Sequence, residues 1–213
     1  MAGALQLIDT RGLEALNMRD LGNVLGASTM SVYRHFRDKD DLLNAVVDHV
    51  VAGFMPALTE GSWRDHARTM SLAVRSAMLT HAGLADLIGR EFRRSSISLR
   101  VNTEIIHRLE GSGVPRELLS ETYWALACYT TGHALLEAQA LKRHAQHPKR
   151  RLAIGERARK LSLLLRSVEG IDARAVPQAA KVLARPLDDR QFLFGLESLL
   201  DGIDARLSTY RQA

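Results

Sequence analysis

The chain has 213 residues, 46% of them hydrophobic and 5% aromatic, which allows one large or two small domains with a real core. Five Pro, few aromatics and abundant Ala and Leu favour helix over sheet, and the single Cys128 can build neither an intrachain disulfide nor a Cys-based zinc site. The net charge of +5 admits an anionic partner, yet residues 1–50 carry five Lys/Arg against seven acids, so bulk charge does not select DNA.

The opening residues have no basic stretch and their short apolar run ends at Asp9, so no signal peptide is expected. Leu5, Leu7 and Ile8 give residues 4–11 an apolar helical face, with Gly12 fitting the position just past a helix end. Asn17 and Asp20 form a capping box with Asp in place of Glu. Leu21, Val24 and Leu25 then recur at helical spacing toward the interior, and Gly26 stops the helix. Ser28 or Thr29 caps the next helix, in which Val32 and Phe36 are expected to bury. Asp38-Lys39-Asp40-Asp41 opens another with its acids at the positive end of the dipole, and Leu42, Leu43, Val46, Val50 and Phe54 stripe it.

Pro56 to Ser62 reads as a linker, which divides the chain into a head, residues 1–55, and a body, residues 56–213. The most apolar stretch, Val46 to Leu58, is broken by Asp48, His49 and Pro56, so no membrane span is expected. Ser62-Trp63-Arg64-Asp65 starts a helix that runs toward His81-Ala82-Gly83. Shorter helices follow near 84–91 and 95–110, closed by Gly111-Ser112-Gly113 with Pro115 beyond. Residues 116–143 form one long helical pattern, His147-Pro148 a loop, and residues 150–168 a basic helix. Pro177 starts another that ends before Pro186. The last helix, Arg190 to Arg211, carries one stripe of Phe192, Leu196, Leu199 and Ile203 and a second of Leu193, Leu200 and Leu207. The expectation is that one packs on the body and the other on a partner chain. No strand pattern, repeat or low-complexity tract is visible, and the fold class is all-α: a three-helix head on a larger helical body.

Residues 17–43 carry the chemistry. Two short helices joined by a Gly-containing turn, the second polar and basic, form the unit that lays its second helix in the DNA major groove. Elsewhere, His144-Ala-Gln-His147 lacks a third ligand, and Cys128 and His133 are five apart on one helix and face different ways. There is no phosphate-cradling Gly loop and no nucleophile elbow, so no catalytic residue, metal ligand or cofactor is expected. The basic residues between Lys142 and Arg166 read as a solvated helix face.

The stretch Ser31-Val32-Tyr33-Arg34-His35-Phe36-Arg37-Asp38-Lys39-Asp40-Asp41-Leu42-Leu43 resembles the helix-turn-helix hallmark of the tetracycline-repressor (TetR) family. The body resembles the tetracycline repressor's own C-terminal domain in Gly61-Ser62-Trp63, in Leu79-Thr80-His81, and in Phe192-Leu193-Phe194-Gly195-Leu196-Glu197 with Gly202 following. The resemblance implies a cytoplasmic, homodimeric, ligand-responsive repressor on double-stranded, palindromic operator DNA, not an enzyme and with no membrane partner. Tyr33, His35 and Lys39 would hold phosphates, with Arg19 and Ser31 in support. Ser28, Thr29, Met30 and Arg34 would then face base edges, Arg34 toward guanine and Met30 toward a thymine methyl.

The resemblance also places an effector pocket near Met55, Met70, Val74, Leu87, Ile105, Trp124 and Cys128, and a dimer interface at Leu126, Tyr129, Leu196, Leu200 and Ile203. Where tetracycline-binding members hold a magnesium-ligating His, the matching stretch Asp86-Leu87-Ile88-Gly89-Arg90 has none, and Met55, Met70, Val74 and Ile105 fall near positions where those members place polar drug contacts. The implied effector is therefore a small, rather apolar molecule other than tetracycline. Relatives usually carry several more residues, often basic, before the first helix. The alternative reading is a helical ligand-binding protein of the same fold that has lost specific DNA binding through a shortened N-terminus.

Overall fold

Short polar side chains start the helices where the sequence places them. Asn17 accepts the Asp20 N–H at 2.9 Å while its own amide donates to the Asp20 carboxylate at 2.7 Å. Asp38 accepts the Asp41 N–H at 2.8 Å, and Ser62 and Asp65 form a complete reciprocal capping box. The computed structural model describes residues 1–54, 61–91, 96–146 and 152–212, and eleven α-helices and no strand occur among them. In chain order these are α1 (Ala2–Arg11), α2 (Met18–Leu25), α3 (Thr29–Tyr33), α4 (Lys39–Phe54), α5 (Trp63–Thr80) and α6 (Ala85–Glu91). They continue as α7 (Ser96–Gly111), α8 (Leu119–Gln146), α9 (Ile154–Ser167), α10 (Val176–Ala184) and α11 (Asp189–Gln212).

Two apolar cores organise them. The first joins head to body: Ile8 of α1, Leu16, and Leu42 and Val46 of α4 pack with Met78, Leu84, Ile88 and Ala134. At Gly83, in the turn between α5 and α6, a Cβ would stand 3.0 Å from the Ile8 side chain and 3.1 Å from its carbonyl oxygen. A side chain there would push α1 back from the body by a few tenths of an ångström. The second core lies wholly in the body, where Trp63, Leu109, Tyr123 and Leu126 close around Phe192, Leu196, Leu200 and Leu207 of α11.

The structure corrects several expectations. On α2, Met18, Leu21 and Gly22 form the buried face, whereas Val24 and Leu25 lie at the rim beside Gly3 and stay 41% and 55% exposed. On α11 the two stripes merge into one broad face on the protomer's own core, with Phe192, Leu196, Leu200, Ile203 and Leu207 all buried. Neighbouring residues sit about 100° apart on a helix, so adjacent stripes share a side and do not oppose one another. Helix α8 continues to Gln146, which puts His144 in its last turn; His147 and Pro148, read as a loop, lie outside the described residues. The basic helix begins at Ile154 and packs chiefly against α10, forming a hairpin whose Leu163, Leu164, Val182 and Leu183 are exposed.

Candidate nucleic-acid interface and effector cavity

The turn between α2 and α3 is fixed by two glycines. Gly26 takes the left-handed conformation at φ 63°, and its N–H reaches back to Asn23. At Gly22 a Cβ would stand 2.9 Å from the Ala27 carbonyl oxygen, so the returning backbone needs a bare helix face there. Sequence reasoning missed Gly22 because a glycine inside a helix reads only as a weak helix former; its reason is a contact with chain five residues away. Ser28 then caps α3, accepting the Ser31 N–H at 3.2 Å, and Val32 anchors that helix from its inner side.

The outer side of this unit holds the predicted contact residues. Arg19, Ser28, Met30, Tyr33, Arg34, His35 and Lys39 are exposed, while Thr29 and Ser31 are half-buried. Met30 is 74% exposed, an unusual posture for a methionine beside a packed core. Arg34 donates to the Ser31 hydroxyl at 3.0 Å, so its guanidinium is tied to the first turn of the same helix. Arg37 is drawn away from this row by Asp41, whose carboxylate accepts the Arg37 N–H at 3.0 Å. That backbone hydrogen bond holds the Asp41 carboxyl below the ordinary carboxylate range. Phe36, expected to bury, is half-buried against the first core.

A cavity with an enclosed volume of about 50 Å³ and an open mouth lies in the body between α5, α7 and α8. Met70, Val74 and Ile105 line it, together with Leu126 and Thr130, which the sequence did not place there. Trp124 and Cys128 do not line it: they lie on the outer side of α8, one to two residues out of phase with the lining positions Tyr123, Leu126, Ala127 and Thr130. Leu87 is buried in the core shared by head and body, and Met55 lies outside the described residues. His66 and Arg108 line both this cavity and a polar opening beside Glu104, His107 and Ser112.

The residues expected at a dimer seam are inside the protomer. Leu196 and Leu200 have no exposed surface, Leu126 and Ile203 are 7% exposed, and the Tyr129 hydroxyl donates to the Phe192 carbonyl at 2.7 Å. The surfaces left open on these helices carry Trp124, Cys128, Gly132 and Leu136 on α8, and Phe194, Ser198 and Gly202 on α11. Among the described residues no group of three or more His, Cys, Asp or Glu could hold a metal ion, and no helix is long and apolar enough to cross a membrane.

Comparison with known proteins agrees with this layout. Residues 1–46 match the family model for bacterial regulatory proteins of the tetR family, so the head is present. Residues 55–207 match that for the tetracyclin repressor-like C-terminal domain. The HTH-type transcriptional repressor Rv1353c of Mycobacterium tuberculosis is 27% identical over 94% of this chain and 77% of its own length. The crystal structure of a possible TetR family transcriptional regulator from Streptomyces coelicolor A3(2) is 28% identical, covers 96% of each chain and superposes with a TM-score of 0.72. That of the Streptomyces coelicolor TetR family protein ActR in complex with (S)-DNPA is 25% identical over 97% of this chain and 95% of that one, with a TM-score of 0.73.

Proposed function

Because the chain belongs to the tetracycline-repressor family of bacterial transcriptional regulators, we propose that it is a homodimeric repressor that holds a palindromic operator and is released by a small apolar effector. Residues 1–55 form the DNA-binding domain and residues 56–213 the effector-binding and dimerisation domain. The observation that carries the reading is the exposed row of Tyr33, Arg34, His35 and Lys39 on a unit whose inner side is fixed by Val32. Hydroxyl, imidazole and ammonium groups at that spacing suit phosphate oxygens, and a guanidinium between them suits a guanine edge. Two such heads meet half-sites about 34–36 Å apart if these lie one helical turn apart.

The exposed faces of α8 and α11 form the dimer bundle. Small residues at Cys128, Gly132, Ser198 and Gly202 let the helices approach, and Trp124, Leu136 and Phe194 fill the flanks. The effector occupies the cavity behind Met70, Val74 and Ile105 and biases α4, which shares a core with it through Val74 and Met78. It shifts the balance of DNA-competent and incompetent states only by its differential affinity for the two.

Binding to a palindrome from the DNA beside the gene, measured against salt, tests this. Arg34→Ala should lower affinity by about 1–3 kcal/mol and relax one operator position. Lys39→Ala should weaken all sequences alike and reduce the salt slope by about one unit. Absence of any salt-sensitive, sequence-preferring binding by the unsubstituted protein would overturn the reading.

A further inference from the structure

Resting on the assignment of the body cavity to the effector, we propose that its ligand is uncharged and mostly hydrocarbon, with one oxygen that hydrogen-bonds the Thr130 hydroxyl. The walls set the first half of that description. Met70, Val74, Ile105, Leu126 and Ala127 present carbon and sulfur, surfaces that favour a molecule with little hydration to lose. The enclosed space is about 50 Å³, so only part of such a molecule is buried and the rest lies in the open mouth.

The charge follows from what lines the space. Arg108 is the one side chain of fixed charge lining it among the described residues, and its Nε donates to Glu104 at 2.6 Å. That pair brings no net charge, so a carboxylate or ammonium drawn past it exchanges its hydration for hydroxyl groups such as those of Ser71, Tyr123 and Thr131, with no opposite charge inside to offset the loss. His66 and Arg108 also border the polar opening, which marks them as the rim through which the ligand enters from water.

The oxygen follows from Thr130. It lines the cavity, is 3% exposed, and its hydroxyl finds no hydrogen-bond partner. A threonine within a helix ordinarily returns its proton to the carbonyl four residues earlier, and this one does not. A buried hydroxyl left in this condition is a standing penalty that a ligand carbonyl or hydroxyl removes.

The test uses the purified full chain and three matched probes at pH 7.5: 2-acetylnaphthalene, 2-ethylnaphthalene and 2-naphthoate, with affinities from calorimetry. The ketone should bind roughly fivefold tighter than the hydrocarbon, the value of one neutral hydrogen bond, and the anion should bind most weakly. In Thr130→Val the advantage of the ketone should vanish while the unliganded protein melts higher. In Thr130→Ser the advantage should persist. Tightest binding by naphthoate, an undiminished ketone advantage in Thr130→Val, or binding by none of the three would overturn the proposal. If Thr130→Val does not fold, the ranking of the probes on the unsubstituted protein still decides. Naphthoate that binds tightest and displaces operator would refute the uncharged ligand and leave the effector reading intact. A ketone that binds as expected without changing operator affinity would do the reverse.

Discussion

His133 lies on α8 with a side chain only 10% exposed, its Nδ1 3.5 Å from Glu137 and its ring edge-on to Phe192. Burial pushes its pKa below the ordinary histidine range, Glu137 pulls the other way, and the Arg75 guanidinium adds to the lowering. Below about pH 6.5 the unfolded chain therefore takes up a proton that the folded chain resists. This contribution to stability is fully present above that pH and is lost as pH falls through the depressed native value. Melting temperature should drop on acidification from pH 7 to 5, and the drop should shrink in His133→Leu; an unchanged slope would show that another group titrates. Asp65, held low by the Ser62 hydroxyl, and Glu197, held low by Arg68, keep their contributions until the pH falls below their ordinary range, so they leave this window clear. Gly22 makes the same point about single residues: what it does is set by the Ala27 carbonyl pressed against it.

Between elements, α8 and α11 approach closely where they cross at Gly195. A Cβ at Gly195 would overlap the hydroxyl and ring of Tyr129, and that ring is held by its hydrogen bond to Phe192 and its stacking at 5.6 Å on the Phe192 ring. Because the tyrosine is anchored at its far end, it cannot swing aside cheaply. Gly195→Ala should destabilise by about 1–3 kcal/mol, read as a lower denaturant midpoint at constant slope. A neutral result would mean that the two helices separate more easily than their packing implies. The start of α5 is bound to α11 in a second way. Arg64 reaches Glu197, Asp201 and Asp204 at 2.7, 2.7 and 2.9 Å, while the Trp63 indole donates to Asp204 at 3.0 Å. Partly exposed ion pairs of this kind fix orientation more than they add stability.

At the scale of the molecule, head and body are not beads on a string. They share a core through both α1 and α4, so a displacement in the body reaches the head by two packed routes. The proposed dimer puts the second copy on the faces that the protomer leaves uncovered. Leu136 is 56% and Phe194 77% exposed, and charge on either would be buried unpaired in the bundle. Leu136→Glu with Phe194→Glu should weaken dimerisation by roughly a hundredfold or more while sparing the protomer fold, measured by sedimentation together with circular dichroism. Operator binding should then fall to that of single half-sites. A variant that remains dimeric at micromolar concentration would place the seam elsewhere.

The helical class, most helix starts and the outward polar face of α3 were legible from residue order alone, while the contact row from Ser28 to Lys39 followed from the family resemblance. Caps, turns and a three-residue-to-four-residue period are local physics, and a short recognition unit keeps its contact residues within a dozen positions. The inward and outward faces of α8 and α11 were not. A stripe of leucines records that a face is buried without saying by what, so Leu196 and Leu200 read as partner-facing until α11 was seen closing on Trp63 and Leu109 of its own chain. The same holds for Trp124 and Cys128, turned outward, for Thr130, turned into the cavity, and for the glycines at 22, 83 and 195. Their roles are contacts with distant chain, and only the packed structure brings those atoms together.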